Sequence, residues 1–300
     1  MSAVIIHKLT RINDLLHHWV TQQVSQEAVT WLDEKSNQIK SDASARVFFT
    51  AFSAVPRYIG KNQLHLTPED LKAASAIQTG WSPNDWSIDQ AARTLLVLAL
   101  PQDNAEKYLN ILEQVFITAD VGELVALYQA LPLMSYPERL QKRAAEGVRS
   151  NMTAVFNAVA LRNPYPAQYF DTLAWNQMVL KALFVGSPLH LIQGLDSRAN
   201  HELARMLIDY AHERWAASRS VPAELWRLVG RFADLATLAD LQRSLNDPDP
   251  IQQAAAALAC ADCPLPQAQV ILATYPNLQK SIQAGYLTWN SLNQKVKSQE

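Results

Sequence analysis

Apolar positions recur every three to four residues along almost the whole chain, and no stretch alternates convincingly with the two-residue period of a half-buried strand. The pattern predicts helices over roughly 4–23, 25–40 and 44–54 in the first part of the chain. Thr67-Pro68-Glu69 reads as the start of another, with a capping threonine and a proline in the first turn. Ser87 is expected to cap IDQAARTLLVLAL, which stops before Pro101. Asp103 is expected to begin a helix over 104–118, and Asp120 a short one to Leu131. A single long amphipathic helix is predicted from Tyr136 to Leu161. Shorter helices follow over 166–170, 172–185, 200–217, 222–233, 235–245, 248–261, 264–274 and 277–296. About fifteen helices with short connections define an all-α chain packed as antiparallel neighbours.

Towards the C-terminus, SLNDPDPIQQAAAALA has the pattern of a HEAT-type unit. Asp247 and Asp249 are placed to cap the helix, Pro250 suits its first turn, and alanines 254–257 let another helix approach closely. One clear copy is not an array, since a solenoid needs about three repeats. The expectation is therefore an α-solenoid-like tail over 236–300, packed on a helical core over 1–235 as one continuous unit.

Glycine narrows the chemistry. There are 8 in 300 residues, none within seven residues of another, which excludes GxGxxG, the P-loop and GxSxG. A net charge of −2 offers no footprint for nucleic acid or an anionic membrane. No apolar run is long enough for a membrane span, and MSAVIIHKLT lacks a signal-peptide core, so the chain reads as cytoplasmic. Cys260 and Cys263 form a CxxC after a helical run, and no histidine follows His212. They read as two structural thiols, and no metal or cofactor site is expected.

The charge distribution points to a centre. Residues 151–195 carry only Arg162, Asp171 and Lys181 as charges, so these helices are expected to be buried. Three helices then offer small or ionisable stripes: Arg143 and Asn157 on 136–161, Gln177 and Lys181 on 172–185, and Arg205, Asp209 and His212 on the helix from 200. His190, in a loop entering a helix, joins them. If the stripes converge, these eight residues line a polar pocket for a small polar or anionic ligand. If they instead pair off, they are structural, with Lys181 pairing Asp209 or Glu146. His201 and His212 lie about 16 Å apart along their helix and cannot share a metal.

PRYIGK (56–61), WSPNDWSIDQAARTLL (81–96), TADVGELVALYQALPL (118–133) and RAAEGVRSNMTAVFNAVALRNPYPAQYFD (143–171) resemble the EboA family. So do WNQMVLKALFVGSPLHLIQGLD (175–196) and ANHELARMLIDYAHERWAA (199–217), while the first 50 residues and the tail after 235 are similar only in helical style. The resemblance implies a bacterial cytoplasmic protein of a metabolite-traffic gene cluster. Its other members resemble a TatD-type hydrolase, a UbiA-type prenyltransferase, a dehydroquinate-synthase-like enzyme and a sugar-isomerase-like barrel. It supplies no catalytic residues. Two functions follow: a non-catalytic accessory protein binding a small polar metabolite or cluster partners, or an enzyme using Lys181, His190, Asp209 or His212 as acid–base groups on an anionic or polyol substrate.

Overall fold

The computed structural model describes residues 3–41 and 45–297, and among them the chain is helical, with no strand. Its contacts divide it into two compact units, Met1–Asp171 and Thr172–Glu300.

The first unit holds α1 (Ala3–Thr21), α2 (Gln26–Lys40), α3 (Ala45–Tyr58), α4 (Pro68–Ile77), α5 (Ile88–Leu98), α6 (Ala105–Thr118), α7 (Val121–Ala130), α8 (Gln141–Arg149), α9 (Thr153–Ala160) and α10 (Tyr165–Tyr169). Many of their starts are local chemistry. Thr67 and Asp70 form a reciprocal capping box on α4, and Asp120 and Glu123 do the same on α7. For α6 the cap is Asn104, whose side chain accepts from the Lys107 amide at 3.0 Å, rather than Asp103.

α5 is the buried centre of this unit, packing on α1, α3 and α7. Its Arg93 and Asp89 lie one turn apart, paired at 2.5 Å with side chains only 3% and 7% exposed. Arg93 also donates from Nε to the Phe52 carbonyl at 3.2 Å and lies over the Phe52 ring. A buried ion pair survives only when such extra bonds satisfy its remaining donors.

The single helix expected over 136–161 is broken in two. Tyr136 takes a left-handed conformation, a 3₁₀ turn spans Pro137–Leu140, and α8 ends at Arg149. Ser150 leaves the helical conformation, with ψ at 138°, and its hydroxyl accepts from the Met152 amide at 3.1 Å. Serine competes here with the helix for backbone hydrogen bonds, and the chain restarts at Thr153.

The second unit holds α11 (Thr172–Val185), α12 (His201–Ala216), α13 (Trp226–Val229), α14 (Leu235–Leu245), α15 (Pro250–Asp262), α16 (Pro266–Ala273), α17 (Pro276–Gln283) and α18 (Trp289–Lys297). α15 is its hub, packing on all five helices from α13 to α18 other than itself. Asp249 caps it by accepting from the Ile251 amide at 2.8 Å, with Pro250 at its first position; Asp247 instead accepts from the Asp249 amide in the preceding turn. Alanines 254–257 are buried, and the neighbouring turn comes close enough that a Cβ on Gly230 would sit 2.6 Å from the Ala259 carbonyl oxygen. α14 and α15 form one packed pair, which is short of a HEAT-like array. α11 and α12 are tied by the side chains of Asn176 and Asn200, which exchange amide hydrogen bonds at 2.9 and 3.2 Å while Asn200 also caps α12.

The charge-poor segment 151–195 is less hidden than its composition implies. Trp175, Met178 and Val179 are fully buried, but Leu173 is 59% and Phe184 75% exposed on α11. A lack of charge removes one reason to face water without supplying a partner to pack on.

Candidate functional site: a charged groove between α6 and α8

A groove of about 770 Å³ runs along the first unit between α6 and the segment 139–146. α6 buries Tyr108, Ile111, Leu112, Val115 and Phe116 on one face, which leaves Glu106, Asn110 and Glu113 along the groove. The opposite wall carries Arg139, Lys142, Arg143 and Glu146, at the i, i+3, i+4 and i+7 positions that share one helical face.

Close packing sets the position of that wall. A Cβ on Gly147 would lie 2.7 Å from Tyr128 ring carbons and from Val159, so only glycine lets α8 settle this near α7 and α9. At the wall's start, the Tyr136 hydroxyl donates to the Gln102 carbonyl at 2.6 Å and the Ser135 hydroxyl to the Gln102 side chain at 2.5 Å. These bonds hold Tyr136 in its left-handed conformation.

Arg143 is the focus of the groove. Its side chain is only 17% exposed and lies over the Phe116 ring, 5.3 Å from the centroid. Nη1 donates to Glu146 at 2.6 Å, and Nη2 donates to Glu113 across the groove. Burial pushes the Tyr128 phenol up to about 12, so it stands beside Arg143 as a neutral hydroxyl. Nearer solvent, Arg139 donates to Glu106 at 2.6 Å, which holds the Glu106 carboxyl below its ordinary value. The groove therefore presents both signs of charge on opposed walls, with Leu109 and Leu140 as apolar lining.

The eight expected residues have different settings. Arg143 lines this groove, and Asn157 sits half-buried on α9. In the second unit, Gln177 is exposed and Lys181 half-buried on α11, where burial lowers the lysine amine below its usual value. His190 Nδ1 lies 3.1 Å from Glu224, whose carboxylate also accepts the Leu189 and His190 amides. The stripe on α12 faces solvent: Arg205 pairs with Asp209 at 3.6 Å, and His212 with Asp240 at 2.9 Å. Trp215 is stacked on His212 and covered by Arg243. No group of three or more histidine, cysteine, aspartate or glutamate side chains is arranged to hold a metal ion among the described residues.

Glu113, Arg139 and Lys142 were not singled out from sequence. The signal for the wall was present in the spacing of Arg139, Lys142, Arg143 and Glu146. Nothing local pairs Glu113 with a residue thirty positions away.

The fold and groove define an all-helical protein with a polar surface cleft and no helix long and apolar enough to cross a membrane among the described residues. A family model described as metabolite traffic protein EboA matches residues 12–230, and the chain belongs to the EboA family. That match takes in α2 and α3 and most of α1, further towards the N-terminus than the resembling segments reach, and stops at Gly230. No curated protein and no solved structure matches the chain.

Proposed function

We propose that this EboA-family protein is a non-catalytic accessory component of metabolite traffic that binds a small polar metabolite in the α6–α8 groove. The observation that carries this reading is the setting of Arg143: a mostly buried guanidinium, stacked on an aromatic ring, at the wall of a groove with the volume of a ligand site. In this reading the protein works in the cytoplasm and passes its cargo to partners of the same gene cluster, such as the UbiA-like prenyltransferase or the TatD-like hydrolase. The enzymatic alternative has less support. Its imidazoles are engaged with Glu224 and Asp240, and none lines the groove.

Thermal shift against phosphorylated sugars, cyclitols, aromatic acids and amino acids tests the reading. A compound at a hundred times its dissociation constant adds about 2.7 kcal/mol of stability. The expected result is stabilisation by one class, lost in Arg143→Met. Stabilisation that survives Arg143→Met, or none from any compound, would sink it.

A further inference from the structure

We propose that the α6–α8 groove takes a zwitterion of the amino-acid class, with its carboxylate on Arg143, its ammonium on Glu113 and an apolar side chain along Leu109 and Leu140. This rests on the reading of the groove as the metabolite site.

The charge pattern selects the class. The lining holds four basic side chains and three glutamates, a surplus of one positive charge. A phosphorylated sugar would bring a dianion among those glutamates, and like charges across a narrow groove repel. A neutral polyol would leave the ion pairs untouched and gain little from them. A zwitterion adds no net charge and offers each wall its opposite sign.

The geometry describes an exchange. Arg143 already has both terminal nitrogens engaged by carboxylates, so the site is shaped for that group. Glu146 comes from the same helix, three residues on, and is the more buried of the two partners. Glu113 reaches across from α6 and its side chain is 52% exposed. A ligand carboxylate therefore replaces Glu113 on Nη2. The displaced glutamate remains on the facing wall, where it accepts the ligand ammonium. One internal ion pair is exchanged for two to the ligand, and Phe116 and Tyr128 keep Arg143 in place throughout. The lining includes apolar side chains from both sides, Leu109 and Leu112 on α6 and Leu140 opposite, which favours leucine, phenylalanine or tyrosine over serine or glutamate.

Nitrogen-15 NMR titration of the full chain provides the test, using L-phenylalanine, phenethylamine, 3-phenylpropionate and glucose 6-phosphate. L-phenylalanine should shift amides in α6 and α8, and the two half-analogues should bind about tenfold or more weakly, since each lacks one charge-assisted contact. Glu113→Gln should weaken L-phenylalanine while leaving 3-phenylpropionate unchanged or tighter, because it removes both the ammonium partner and the competing carboxylate. A merely structural role for Glu113 predicts no such divergence. Arg143→Lys, which keeps the charge and loses the fork, should weaken L-phenylalanine and 3-phenylpropionate alike. If glucose 6-phosphate or 3-phenylpropionate binds the groove as tightly as L-phenylalanine, the zwitterion class is overturned and the metabolite groove stands. If none of the four moves α6 or α8 amides, the zwitterion inference fails, and the wider thermal-shift panel decides separately whether the groove takes a metabolite of another class.

Discussion

Replacing Asp89 by asparagine removes one charge from the buried core of the first unit and changes almost nothing in volume. Arg93 then remains 3% exposed with its carboxylate gone, set against the Phe52 carbonyl and ring. Solvent cannot screen or rehydrate the guanidinium without opening the packing of α5 against α1, α3 and α7. Breaking one side of such a pair costs about 3–5 kcal/mol. The Ser87 hydroxyl, which donates to Asp89 at 2.5 Å, keeps an acceptor in the asparagine oxygen, so its loss adds little. A domain is stable by only about 5–15 kcal/mol, so the variant should lose roughly a fifth or more of that margin. Urea unfolding followed by far-ultraviolet circular dichroism, together with hydrogen exchange of the α5 amides, measures the loss. Asp89→Leu combined with Arg93→Met should recover most of it, because an apolar pair leaves no charge to compensate. A cost for Asp89→Asn below about 0.5 kcal/mol, the scale of an exposed pair, would refute the view that this pair is held away from water.

Three other outcomes are expected. Gly147→Ala should destabilise the first unit through overpacking of about 1–3 kcal/mol against Tyr128 and Val159, less the ~1 kcal/mol that alanine gains in a helix; urea midpoints read the balance, and a net gain would show that α8 has room to move. Burial pushes the Cys260 thiol up to about 12, so it should resist iodoacetamide at pH 8 in the folded protein and react on unfolding. Burial raises the Asp70 carboxyl, but hydrogen bonds from Thr67 and Trp19 outweigh it and leave the folded value depressed; Asp234 is depressed by the Thr237 amide and hydroxyl. A depressed carboxylate contributes stability above its unfolded pKa of about 3.9 and loses it as pH falls through the folded value, so Asp70→Asn and Asp234→Asn should each flatten the acid limb of a stability–pH profile.

The all-helical class, and many helix starts, were legible because their determinants span a few residues. A capping box joins positions three apart, as at Thr67–Asp70 and Asp120–Glu123, and Asp249-Pro250 marks α15 in the same way. The family, too, was legible in contiguous segments such as 143–171 and 175–196. The break at Ser150 was missed although its chemistry is local, because the apolar period of 136–161 continues through it and outweighs one hydroxyl.

What tertiary structure decided is which residues meet. Arg143 stood out as one basic position on an amphipathic stripe, but its partners Glu113 and Phe116 lie about thirty residues away on another helix. The α12 stripe had the same appearance on paper and faces solvent, with Asp240 as the partner of His212. Periodicity assigns a side chain to a face of its own helix. Whether that face meets water, a glutamate or a groove depends on how closely a neighbouring helix can approach, and in the first unit that depends on the absence of one Cβ at Gly147.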